Sequence, residues 1–350
     1  MSNYEVKFFN VNEKKKIYEF PQNRYIKIKT LGEGSFGKVI LVKKENPDNE
    51  GDSKYFALKI SKRFKKISKN KNLADVDDEK DKEEKPKELN FIELRELVIM
   101  KKIKKHPNII DLVDFKMCKE ERQIWILMDY IPTELGKFLY KNKNNPEIMN
   151  ENFFKNISYQ ILCGVNHLHL KQIIHRDLKL ENILYDEKKK IVRIGDFGLS
   201  RQYDYDINSQ YTDVGTYPYK PPELILGLTH YSTSFDIWSL GCILVEICTG
   251  AHLFGKDNSI GVIKLMYEIF GSFNDKVLPG HKNFPKSYIL ESLEKKKGIG
   301  LINYIKKNKK FEFENNNFYD LIEKMLCLDP TKRINAKECL NHCWFSDLKN

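Results

Sequence analysis

The chain has 350 residues, of which 41% are hydrophobic, and it carries a net charge of +11; that is more than one small core needs, so two lobes are expected. Its seven cysteines show no CxxC pair or metal-ligand spacing, and there is neither a signal peptide nor a long apolar run, so a reduced cytoplasmic or nuclear protein without a membrane partner is expected. The lysine-rich patches at 62–71, 101–105 and 306–310 lack interleaved aromatics, so they read as solvated faces and no specific nucleic acid is expected.

Residues 1–24 are charged and without a clear period; Phe8, Phe9, Ile17 and Phe20 are the candidates for fastening this extension to the domain. From Tyr25, the alternation of Ile26 and Ile28 with Lys27 and Lys29 predicts a strand. It meets Leu31-Gly32-Glu33-Gly34-Ser35-Phe36-Gly37-Lys38-Val39, and a second strand comes next over 39–42. A dinucleotide-binding turn requires a helix there. Strand, glycine turn and strand instead make a flap whose amides can lie over phosphates, because glycine has no Cβ in the way.

In the next strand, Tyr55-Phe56-Ala57-Leu58-Lys59-Ile60, one lysine sits inside an apolar run. A buried ammonium is costly unless paired. Residues 61–89 are dense in Lys, Asp and Glu and poor in apolar residues, the composition of a disordered insert. Between 88 and 105, Ile92, Ile99 and Ile103 recur at helical spacing with Glu96 on their face, which makes Glu96 the candidate anion for Lys59. The alternative is two unrelated charges that snorkel to solvent.

The run Ile124-Trp125-Ile126-Leu127-Met128-Asp129-Tyr130-Ile131 predicts another strand, and Phe153, Phe154, Ile157, Ile161, Leu162, Val165 and Leu168 predict a buried helix. That helix leads to Ile174-His175-Arg176-Asp177-Leu178-Lys179-Leu180-Glu181-Asn182, which fits neither period and reads as a loop on a packed floor. Ile183-Leu184 and 191–194 predict short strands around a turn at 186–190, so Asp196 in Gly195-Asp196-Phe197-Gly198 leaves the second strand beside Asn182. Phosphoryl transfer needs such a cluster: a carboxylate to orient and deprotonate a hydroxyl, which suits Asp177, and oxygen ligands for magnesium, which suit Asn182 and Asp196. An acidic surface turn is the bland alternative.

At these residues the chain resembles the eukaryotic protein kinases, and Lys179 matches their serine/threonine form, while Leu180 departs from the common proline. The likeness covers 25–348 apart from the insert, and is greatest to the cyclin-dependent kinases, in the branch shared with mitogen-activated and glycogen-synthase kinases. It implies an α+β bilobal fold: a small, mainly antiparallel β N-lobe with a C-helix over 25–130 and a larger, mainly α C-lobe over 131–348. The implied activity is transfer of the ATP γ-phosphate, with magnesium, to Ser or Thr of protein substrates.

The resemblance also implies roles. Asp177, Lys179, Lys59 and Glu96 form the catalytic set, and Asn182 and Asp196 hold the metal. Leu31, Gly32, Glu33, Gly34, Ser35, Phe36, Gly37, Val39, Ala57, Lys59, Met128, Asp129, Ile131, Glu134 and Leu184 surround ATP, with Met128 as gatekeeper, the backbone of Asp129 and Ile131 on adenine and Glu134 on ribose. The activation segment ends in Gly215-Thr216-Tyr217-Pro218-Tyr219-Lys220-Pro221-Pro222-Glu223, where Glu223 should pair with Arg333 and Asp236 should bond the catalytic-loop backbone. Arg95, Arg176 and Arg201 match a cluster that grips phosphate on Thr212 or, second, Tyr211, with Asp213 as a partial substitute, which implies an upstream activating kinase. Residues 90–96 resemble the helix that takes a cyclin-like activator. Lys220 stands where the branch has an arginine shaping the pocket for a following proline, and it lacks the guanidinium fork. A cyclin-independent mitogen-activated-type kinase is one alternative; a nucleotide-binding pseudokinase is another, although its usual losses of lysine, base or metal acid are absent.

Overall fold

The computed structural model describes residues 16–34, 37–46, 55–62, 91–118, 122–203, 214–229 and 232–348. The chain divides into two compact units, one grouping Met1–Asn90 with Leu112–Tyr130 and the other Phe91–Asp111 with Ile131–Asn350. The expected α+β class with two lobes is met by a smaller β unit and a larger helical one.

The smaller unit is one antiparallel sheet of β1 (Ile17–Glu19), β2 (Arg24–Gly34), β3 (Gly37–Lys44), β4 (Tyr55–Ser61), β5 (Leu112–Cys118) and β6 (Gln123–Asp129), in the order β1-β2-β3-β4-β6-β5. Alternation sorts its side chains onto two faces. On one face Ile40, Val42, Phe56, Leu58, Ile60, Trp125 and Leu127 form a core with Tyr18, Phe20 and Tyr25. Tyr18 meets Trp125 edge-on at 5.0 Å, and Phe20 meets Tyr25 at 5.5 Å. The N-terminal extension is therefore fastened by Tyr18 and Phe20. Ile17, expected to help, is 38% exposed, because the alternation that turns Tyr18 inward turns Ile17 outward. Phe8 and Phe9 lie outside the described residues. The opposite face carries Val39 paired with Lys59, and Ala57 paired with Met128.

The larger unit contains α1 (Phe91–Ile103), β7 (Thr133–Glu134), α2 (Leu135–Lys141), α3 (Glu151–Leu170), β8 (Ile173–Ile174), β9 (Ile183–Asp186), β10 (Ile191–Ile194), β11 (Arg201–Gln202), α4 (Pro222–Ile225) and α5 (Ser234–Thr249). Among the described residues five further α-helices follow: α6 (Ser259–Phe270), α7 (Tyr288–Glu291), α8 (Leu301–Asn308), α9 (Asn317–Met325) and α10 (Ala336–Leu340). Asn150 caps α3 by accepting from the Phe153 N–H at 2.9 Å, and the predicted apolar stripe, Phe154 to Leu168, is buried. α5 is buried at every position except Ser234 and Glu246, so it is the helix around which the unit packs.

Residues 91–111, assigned by sequence to the small lobe, group with the larger unit. Side-chain bonds explain this: His167 Nε2 lies 2.8 Å from the Ile103 carbonyl, and its ring stacks on His106 at 4.6 Å. Asn108 Nδ2 donates to the Val192 carbonyl at 3.0 Å, and Ile109 bridges Ile194.

Candidate active site

The predicted loop is held from below by Asp236, in the first turn of α5. Its carboxylate accepts from the backbone N–H groups of His175 and Arg176, both at 2.9 Å, and meets His169 Nε2 at 2.9 Å. Burial pushes this carboxyl up, but the bond and charge of His169 and the contacts of His175 outweigh it, leaving Asp236 below the usual carboxylate range. Arg176 sits at φ 66°, a conformation uncommon for a non-glycine residue, and the two bonds to Asp236 brace it there.

Asp177 emerges from this base with 8% exposure. Its Oδ1 accepts from the Thr216 hydroxyl at 2.7 Å, and its Oδ2 pairs with Lys179 Nζ at 2.9 Å. Lys179 also reaches Thr216 Oγ1 at 3.3 Å. Asn182 donates Nδ2 to the Asp177 carbonyl at 2.8 Å and to its Oδ2 at 3.2 Å. Lys179, Asn182 and Thr216 thus share one carboxylate.

β9 and β10 pair in register Ile183 to Ile194, as the two predicted strands and their turn require. The Gly195 N–H then donates to the Asn182 carbonyl at 2.9 Å, which brings Asp196 out of β10 next to Asn182. Asp196 has φ 58°, and its Oδ1 accepts from the Gly198 N–H at 3.4 Å. Phe197 is buried and stands edge-on to His175 at 5.3 Å, while His175 Nε2 lies 3.0 Å from the Gly195 carbonyl. Oxygen donors of Asn182 and Asp196 suit a hard divalent cation, and because the Asn182 amide nitrogen is turned to Asp177, its oxygen is the donor left for one. Among the described residues no three His, Cys, Asp or Glu gather as a metal cage, so such an ion would complete its shell with nucleotide oxygens and water.

The remaining residues that the resemblance implies around ATP divide between the units. In the smaller one, Gly34 pairs with Gly37 and Glu33 with Lys38, giving strand, turn and strand with no helix. Ser35 and Phe36 lie outside the described residues. Gly37 has φ 134°, and a Cβ there would collide with the Ile60 carbonyl, so only glycine closes this turn. Leu31 is 40% exposed on β2 beside Gly32, and Val39, Ala57, Lys59 and Met128 share the sheet face away from the aromatic core. Asp129 ends β6. In the larger unit Glu134 pairs in register with Leu184, and its Oε1 binds Lys137 Nζ at 2.6 Å; Ile131 lies just before. Glu96 is buried on α1 with Ile99 and Ile103. The side chain of Ile92 is not described.

At the end of the activation segment, Arg333 grips Glu223 with both nitrogens, Nη1 to Oε1 at 2.8 Å and Nη2 to Oε2 at 3.1 Å. Lys220 is buried, with Nζ 4.2 Å from the centre of the Tyr217 ring. Arg176 Nε donates to the Leu199 carbonyl at 2.7 Å; Arg201 in β11 pairs with Ile174 in β8, and α1, which bears Arg95, packs on β11. Tyr211, Thr212, Asp213, residues 63–89 of the insert and Asn90 lie outside the described residues. Sequence alone did not single out His169, Glu246 or His252; their spacings carry no motif, and only folding brings them to Asp236 and Tyr219.

A family model for the protein kinase domain matches residues 25–345. Cyclin-dependent kinase B2-1 of Oryza sativa subsp. japonica is 28% identical over 327 residues, spanning 93% of this chain and 90% of that protein.

Proposed function

Because the chain belongs to the protein kinase domain family, we propose that Asp177, Lys179, Asn182 and Asp196 carry transfer of the ATP γ-phosphoryl group to a serine or threonine hydroxyl of a protein. The observation that carries this is the junction at Asp177, where Lys179, Asn182 and Thr216 meet one carboxylate, while the Gly195–Asn182 bond brings Asp196 next to Asn182. Asp177 orients the substrate hydroxyl and takes its proton; the oxygen attacks the γ-phosphorus and ADP departs. Lys179 lies beside the charge that develops on the transferring group. The family resemblance assigns Lys59 and the glycine flap to the nucleotide phosphates, and Glu96 to the catalytic set. Asn182 and Asp196 would hold magnesium, which neutralises charge on the phosphates.

Regulation follows the cyclin-dependent relative. Residues 90–96 take a cyclin-like activator, a reading supported by Val98, 62% exposed on the same helix. An upstream kinase modifies Thr212, the first candidate, or else Tyr211, the second, with Arg95, Arg176 and Arg201 receiving the phosphate; mass spectrometry of active enzyme that finds neither residue modified would exclude both.

The test is phosphate transfer by the purified chain, with ATP and magnesium, to degenerate Ser and Thr peptides, with Asp196→Asn as the contamination control. Transfer by the wild type alone supports the proposal and shows that no activator is obligatory. Transfer only after a cyclin is added assigns the activator, and ATP binding without transfer under either condition refutes the catalytic assignment. A proline preference in the peptides would show that Lys220 preserves the branch's pocket.

A further inference from the structure

Glu246, the inner exception to the burial of α5, lines a cavity of about 790 Å³ with Leu180, Glu181, His252 and Lys310. Its carboxylate is shared. Oε2 accepts from the Tyr219 hydroxyl at 2.7 Å, and Oε1 lies 3.0 Å from His252 Nδ1. The His252 ring stands edge-on to Tyr219, with centroids 5.7 Å apart and planes at 89°. Tyr219 in turn closes the turn Tyr217–Tyr219: its N–H donates to the Thr216 carbonyl at 3.0 Å, and its own carbonyl accepts from Ser239 Oγ at 2.8 Å. Thr216 is the residue whose hydroxyl rests on Asp177. A continuous set of contacts therefore runs from a surface imidazole to the proton acceptor.

We propose that His252 is a positioning residue for phosphoryl transfer, clamping the Glu246 carboxylate so that Tyr219 holds the turn that keeps Thr216 on Asp177. This rests on the assignment of Asp177 made above. The Glu246 side chain is only 12% exposed and that of His252 is 44% exposed, so a shielded anion is matched by a cation that stays hydrated. The bond to Glu246, then the charges of Glu246 and Glu181, raise the imidazole above its ordinary value despite partial burial. Burial, followed by Glu246, pushes the Tyr219 phenol far up, so it remains a donor. The other charged groups facing the cavity are Lys310, whose side chain lies by Gly250, Glu134 paired with Lys137, and Lys143 over the Tyr140 ring. With a folded value above 6.5, the charged clamp is complete below the unfolded value and is lost as pH rises through the raised one.

The experiment compares wild type, His252→Ala and His252→Gln in peptide phosphorylation across the imidazole range, with amide exchange of 214–220 measured in parallel. His252→Ala is expected to lower kcat about three- to tenfold, the scale of one hydrogen bond, with KM for ATP unchanged. Wild-type kcat should fall across the alkaline side of the imidazole titration; both variants should lack that step, and the Gln variant should recover part of the rate by keeping a donor to Glu246. Unchanged kcat and pH profile in His252→Ala would overturn the proposal, as would a loss that merely follows the folded fraction in a melting curve. If wild type transfers no phosphate, the functional assignment fails separately. Amide exchange then decides: faster exchange of 214–220 in His252→Ala supports the clamp, and unchanged exchange overturns it.

Discussion

Replacing Arg333 by methionine removes the buried partner of Glu223 while keeping much of the side-chain volume. Arg333 makes the two bonds to Glu223 and donates to the carbonyls of Cys327 at 2.9 Å, Ser234 at 3.0 Å and Leu328 at 3.4 Å, with its guanidinium 4.9 Å from the Trp238 ring. Both partners are nearly inaccessible, at 6% and 4%. Stranding the Glu223 carboxylate costs about 3–5 kcal/mol, since an uncompensated buried charge outweighs the attraction it loses. The orphaned carbonyls act on the same loops, so they are counted within that range rather than added. For a unit of this size the calorimetric transition should drop on the order of 10 °C. The double variant Glu223→Leu/Arg333→Met strands no charge and should lie within about 2 kcal/mol of wild type. A single-variant cost below about 1 kcal/mol, or a double variant as costly as the summed singles, would refute this account.

Asp177→Asn should lower kcat about 10²–10⁴-fold in the peptide assay while leaving the melting transition in place; equal rates would remove Asp177 as proton acceptor. Gly215→Ala should cost about 1–3 kcal/mol and reduce kcat, because Gly215 has φ 86° and a Cβ there would stand 2.8 Å from the Arg176 carbonyl and 2.9 Å from Phe235 Cζ; thermal melting with steady-state kinetics checks it. Tyr18→Ala should destabilise the smaller unit by about 3 kcal/mol, read in its melting transition, since Tyr18 is 1% exposed against Trp125. Asp236 is held below 3.8, so its stabilisation is fully present above that value and is lost as pH falls through the lower folded one. The gap in urea stability between wild type and Asp236→Asn should therefore be constant near neutral pH and close in acid.

Much of the catalytic loop was legible because irregular polar residues between apolar ones have no packing reason to be there. Asp177, Lys179 and Asn182 stood out on that ground, and the two short strands correctly placed Asp196 beside Asn182. The glycine flap was legible because a strand, β3, comes directly after it, where a dinucleotide-binding turn would open a helix. The Glu223–Arg333 pair required the family resemblance, because 110 residues separate the partners. Ile17 was misjudged because hydrophobicity does not reveal strand phase, and it is Tyr18 that faces Trp125.

By itself the sequence determined what depends on local order: the strand and helix periods, the turn that needs glycine at 37, and the acids placed a few residues apart in two loops. Tertiary structure alone decided which distant groups share a charge or a bond. His169 joins Asp236, 67 residues further along the chain, and Glu246 joins Tyr219 to His252. It also attached 91–111 to the larger unit through His167 and Asn108. Such pairings are set by how α3 and α5 pack in three dimensions, and burial then makes each unpaired polar group costly enough to select its partner.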